Sequence, residues 1–87
     1  MKILFHIANG HKNSRIAYAV DADANMTRLR ATQEFVDAVY AQWVRDELGN
    51  DFVIHEVTED YFVFDFTYQD DADAFLRVHG GKPMEEA

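Results

Sequence analysis

The stretch Tyr61-Phe62-Val63-Phe64-Asp65-Phe66-Thr67-Tyr68 sets Phe62, Phe64, Phe66 and Tyr68 at every second position. That is the period of a strand with one buried face. Residues 52–57 precede it with a second strand pattern, and Thr58-Glu59-Asp60 supplies the turn between them, so residues 52–68 predict an antiparallel hairpin. On its C-terminal side, Asp70 or Asp71 is placed to cap a short helix with Ala72, Phe75, Leu76 and His79 inward. Gly80-Gly81 stops that helix, and residues 83–87 are expected to form a frayed acidic tail.

On the N-terminal side, residues 27–48 predict the main helix. Leu29, Thr32, Val36, Val39, Tyr40 and Trp43 form one stripe with Phe35 beside it, and Arg30, Glu34, Ala38, Ala41 and Arg45 lie opposite. Thr27, Asn25 and Asp23 are candidate N-caps, and Gly49-Asn50 closes the helix. Further out, residues 2–8 alternate Ile3, Phe5 and Ile7 against Leu4, His6 and Ala8. Residues 9–14 carry turn chemistry, and residues 15–20 alternate Ile16, Tyr18 and Val20 against Ala17 and Ala19. These two segments are expected to pair as a hairpin. The resulting order is ββαββα: one α+β domain over residues 1–82, a four-stranded antiparallel sheet with two helices on one face.

Such a sheet leaves its other face bare. Leu4, His6, Ala17, Ala19, Tyr61, Val63 and Asp65 would line it. This is more apolar than a water-facing surface calls for, so a partner or a second copy of the chain is expected to cover it.

The chain has 87 residues, 16 acids and 8 bases, a net charge of -8. With no cysteine, neither disulfides nor thiolate metal sites contribute, and the 48% apolar content must supply the core. No apolar run is long enough for a membrane helix, and the opening residues do not make a signal peptide. A soluble cytoplasmic protein without membrane contact is the expectation. The charge is polarised: between Asp46 and Asp73 there are ten acids and no Lys or Arg. Direct nucleic-acid binding, which needs basic surface, is not expected.

Chemistry-bearing motifs are sparse. Asp21-x-Asp23-x-Asn25 opens like a calcium loop, but the sixth and twelfth positions hold Met26 and Thr32 instead of glycine and a bidentate carboxylate, so capping is the better account. His6, His11, His55 and His79 lack zinc-ligand spacing. Ser14 is the only serine and lies in a turn, and the four glycines are spent in turns and helix ends. No metal, cofactor or catalytic residue is assigned.

Two resemblances remain. Residues 61–68 followed by Asp70–Phe75 look like the second half of an RNA-recognition motif, with Ile3-Leu4-Phe5 in place of its first strand. The expected order departs from that family, since a hairpin precedes the first helix and no strand follows the last one, and the aromatics are assigned to the core. More nearly, Phe62-x-Phe64-x-Phe66, then Asp71-Ala72 or Asp73-Ala74, Phe75-Leu76 and Gly80-Gly81-Lys82, resemble the C-terminal signature of small uncharacterised bacteriophage proteins. Trp43 and the exit Asp46-Glu47-Leu48-Gly49 are similar too. His79 departs from the pattern, standing where a tryptophan or other aromatic is common. This resemblance covers about the last half of the chain and implies an accessory protein acting in the host cytoplasm.

The expected function is non-catalytic: binding and modulation, by inhibition, of a host protein with a basic groove. The surface named for it is Asp46, Glu47, Asp51, Glu59, Asp60, Asp70, Asp71 and Asp73, which would imitate nucleic-acid charge. The alternative is a dimeric small-molecule binding or sequestering module, with an anion held by Lys12, Arg15, Arg28 and Arg30. A third reading is a small hydrolase built on His6 or His55 with an aspartate.

Overall fold

The computed structural model describes residues 1–8, 10 and 12–84, Asn13 by its backbone alone. Strand β1 spans Lys2–His6. A π-turn, Lys12–Ile16, leads into helix α1, Ala17–Ala22. Helix α2, Arg28–Val36, runs through a second π-turn, Asp37–Ala41, into α3, Gln42–Glu47. Strands β2, Phe52–Val57, and β3, Tyr61–Phe66, precede helix α4, Gln69–His79, and β4, Lys82–Met84. The four strands form one antiparallel sheet in the order β2-β3-β1-β4.

The α+β class and the four-stranded antiparallel sheet agree with expectation, but the element order does not. A single strand precedes the first helices and a strand follows the last, which is the split β-α-β plan. Residues 15–20 fail as a strand because their pattern fits two periods. Ile16 and Val20 lie inward under either reading, and Ala19 breaks the tie by packing on the core while Tyr18 stays exposed. Alanines at 17, 19 and 22 favour helix. Ala17 and Ala19 therefore do not belong to the sheet.

The edge of β1 that they were expected to fill is taken by β4. Pro83 and Met84, expected in a frayed tail, are thus strand residues; residues 85–87 lie outside the described residues, as do Asn9 and His11. Gly81 makes this return possible. Its φ is +108°, and a Cβ there would sit 2.8 Å from the Leu4 carbonyl oxygen and 3.2 Å from Ile3 Cγ2. Only glycine allows so close a backbone approach.

The inner face of the sheet is aromatic. Phe62, Phe64 and Phe66 of β3 and Ile3 of β1 are fully buried, and the Phe75 ring lies 5.6–5.7 Å from those of Phe64 and Phe66. Tyr68, grouped with these phenylalanines by period, lies past the end of β3 and is exposed. The long helix starts where Thr27 Oγ1 accepts the Arg30 amide, 3.1 Å away. Its π-turn shifts the helical phase by one residue, so Val36 and Ala41, five apart, are both buried. Ala41, expected on the outer side, is therefore core, and Leu29, expected on the core stripe, is 43% exposed. Helix α4 has Tyr68 as its N-cap without a side-chain bond, so Asp70 and Asp71 lie in its first turn and do not cap it.

Candidate functional site

The chain leaves the long helix and enters β2 at the same end of the sheet where β3 gives way to α4. The Thr67 amide donates to the Asp51 carbonyl across 3.0 Å and ties the two crossings together. Asp46 and Glu47 sit in the last turn before the first crossing, Asp51 lies within it, and Asp70, Asp71 and Asp73 belong to the first turns after the second. Six of the eight acids singled out in the sequence thus share one end of the molecule. An open hollow of about 410 Å³ lies at this end, lined by Asn50, Asp51, Phe52, Val53, Asp65 and Thr67, so that of the six acids Asp51 alone reaches it.

Glu59 and Asp60 are not part of this group. They form the β2–β3 turn at the opposite end, where the Lys12 ammonium lies 2.5 Å from the Asp60 carboxylate. That hydrogen bond, and the charge behind it, hold the Asp60 carboxyl below its ordinary range. A hollow of about 230 Å³ lies here between Lys12, Ile16, Arg28, Thr32, Glu59 and Asp60. Its charges are mixed; at the six-acid end acids outnumber bases, but the N-terminal ammonium lies 3.2 Å from Asp65 and the Arg45 guanidinium sits over the Phe52 ring at 5.9 Å.

The four bases named for an anionic ligand are mostly engaged elsewhere. Lys12 is held by Asp60, Arg30 lies 3.6 Å from Glu34, and the Arg15 guanidinium sits over the Phe35 ring at 5.4 Å. Two of the four, Lys12 and Arg28, line the mixed-charge hollow together with Glu59 and Asp60.

Leu4, His6, Tyr61 and Val63 do share the outer sheet face, as their register requires: Leu4 pairs with Val63 and His6 with Tyr61. The His6 and Tyr61 rings meet edge to face, with centroids 6.0 Å apart. Ala17 and Ala19 are absent from this face for the reason given above, and Lys82 and Met84 of β4 take the space beside β1. His55 sits in a β-bulge of the edge strand, where the register slips between Ile54 and Glu56. His79 is elsewhere, among the rings of Tyr40, Trp43 and Phe75, with its Nε2 buried and without a hydrogen-bond partner among the described residues. Burial pushes its pKa down.

Several of these features had no readable sign in the sequence. The Lys12–Asp60 pair joins segments far apart in the chain, and while the helical period turns His79 inward, it does not name the Tyr40 and Trp43 rings that it meets. The strand at 82–84 is too short to show a period. Both departures from the RNA-recognition motif disappear in this topology, yet the phenylalanines that carried the likeness face the helices, where no base can stack on them. No protein-family model, no curated protein and no solved structure matches the chain. No described helix is long and apolar enough to cross a membrane.

Proposed function

We propose that this chain is a non-catalytic accessory protein, of the kind small bacteriophage proteins supply, that docks its acidic end on a basic groove of a host protein and inhibits it by imitating nucleic-acid charge. The observation that carries this reading is the position of Asp46 and Glu47. They occupy the last turn of a helix, where the unsatisfied carbonyls already make the potential negative and cations are favoured. Carboxylates there oppose the helix dipole; Asp46 is offset by a 2.9 Å hydrogen bond that it accepts from Gln42 one turn back, whereas Glu47 has no such partner among the described residues. Asp70 and Asp71 differ: at the first turn of α4 they are favourable to the helix. Asp51 extends the group across the crossing that Thr67 holds in place.

Capture from bacterial lysate by the wild-type chain and by the triple variant D46N/E47Q/D51N tests this. The triple variant is expected to lose a partner that the wild type retains at low salt and releases at high salt. The variant E59Q/D60N, altered at the opposite end, is expected to keep it. Equal capture by the wild type and the triple variant would overturn the proposal.

A further inference from the structure

The strand register arranges the outer sheet face in rows that run across all four strands. One row reads Val53, Asp65, Lys2, Met84 from β2 to β4, and the next reads Glu56, Val63, Leu4, Lys82. Each row carries an acid on the β2–β3 side and a base on the β1–β4 side. The face is therefore complementary to itself. If a second copy is laid over it and related by a two-fold axis parallel to the strands, β2 of one copy lies over β4 of the other and β3 lies over β1. Row stays on row. Asp65, which already holds the N-terminal ammonium of its own chain at 3.2 Å, then faces Lys2 of the second copy, Glu56 meets Lys82, and the exposed apolar ends Val53 and Met84 meet each other. At the centre, His6 lies against Tyr61, and Leu4 lies over Val63, which its own chain already covers.

We propose that this face is a homodimer interface with that symmetry. A two-fold contact must be self-complementary, and the opposite placing of Glu56 on β2 and Lys82 on β4 meets that requirement. Among the described residues neither Glu56 nor Lys82 has an ion-pair partner within its own chain, while both are exposed. Val53 at 60% and Met84 at 41% exposure are the apolar surface that the contact removes from water. Aligned packing of two sheets keeps strand directions within about 30°, so the central pairs stay in register and the charged pairs one strand out stay within side-chain reach. Four strands at about 4.8 Å spacing and five residues at about 3.3 Å give a footprint of roughly 19 by 17 Å. That is about 320 Å² of face a side, well under the roughly 800 Å² of a standard interface, so only weak and transient association is expected. The axis also sets both acidic ends on the same side of the dimer.

Sedimentation equilibrium of the whole chain, from micromolar to near-millimolar concentration, tests the symmetry as well as the contact. The wild type is expected to dimerise reversibly. Lys82→Glu and Glu56→Lys, each placing like charges opposite one another twice, are each expected to weaken self-association by about tenfold or more. An equimolar mixture of the two variants restores both pairs, because the introduced glutamate of one variant faces the introduced lysine of the other. That mixture is expected to dimerise as the wild type does. The double variant K82E/E56K restores the pairs within a homodimer and guards against a folding defect in either single variant. A monomeric wild type, single variants that associate normally, or a mixture and double variant that both stay monomeric would each overturn the proposal.

Discussion

Phe64 and Val63 are neighbours in one strand, and both are almost wholly hidden, at 0% and 1% exposure. What hides them differs. Phe64 is covered from outside the sheet, its ring packed against Phe75 of α4 and against Phe52, Phe62 and Phe66. Val63 faces away from the helices and is covered sideways, between Leu4 on β1 and the bulged Ile54–Glu56 segment of β2. Burial alone does not say whether a face has a partner. The inner face is finished by the chain's own helices, whereas Val63 on the outer one is closed over by neighbouring side chains of the sheet itself.

Substitutions that empty one face or the other separate the two cases. Phe64→Ala opens a cavity roofed by helices and is expected to cost about 3–5 kcal/mol, read from the denaturant midpoint. Gly81→Ala acts on the outer face through β4. The new methyl meets the Leu4 carbonyl and the residue keeps a positive φ, so a loss of about 1–3 kcal/mol is expected, with hydrogen exchange rising first at residues 82–84. Val63→Ala removes two carbons from a side chain that its flanking neighbours can close over, and about 1–2 kcal/mol is expected by the same denaturation. A loss at Val63 equal to that at Phe64 would show that the two faces are packed alike.

Two weaker effects sharpen the contrast between well-packed and exposed polar contacts. His79 is held neutral by burial among aromatic rings, its folded pKa lying below its unfolded value of about 6.5. Below that pH the unfolded chain takes up a proton that the folded one resists. The site's contribution is therefore intact above about pH 6.5 and declines as pH falls toward the folded value. Comparison of melting temperatures against pH for the wild type and His79→Phe is expected to show a steeper acid decline in the wild type. Lys12→Met removes the partner of an exposed carboxylate, so stability is expected to stay nearly unchanged while the Asp60 pKa rises toward its ordinary value, measurable by NMR titration.

The parts of the fold that are legible in the sequence are those whose pattern repeats locally. Phe62, Phe64 and Phe66 announce the central strand, and the apolar residues between Ala31 and Val44 announce the long helix. Residues 15–20 are ambiguous because a spacing of four between Ile16 and Val20 satisfies both a strand and a helix, and only the tertiary packing of Ala19 decides. The return strand is illegible because its cause is a non-local contact, Gly81 against Ile3 and Leu4. The candidate site is half legible. The acids are evident as a run, but a run of charges has no ends in space; the hairpin turn carries Glu59 and Asp60 to the far side, and the crossing at Asp51 and Thr67 gathers the others.

The first strand of the chain is flanked in the sheet by β3 and β4, so its hydrogen-bonding groups wait for the last third of the sequence to be synthesised. Until Tyr61–Phe66 is made, β1 has no neighbour on either side, and until Lys82–Met84 is made it keeps one open edge. Every contact that seats it is distant in sequence, which makes its loop-closure entropy large and its assembly slow relative to the helices. A chain released or cleaved before Gly80 would retain its helical pattern and the pairing of β1 with β3 but would leave the other edge of Lys2–His6 open as a strand template. Such a fragment is expected to aggregate where the 87-residue chain does not.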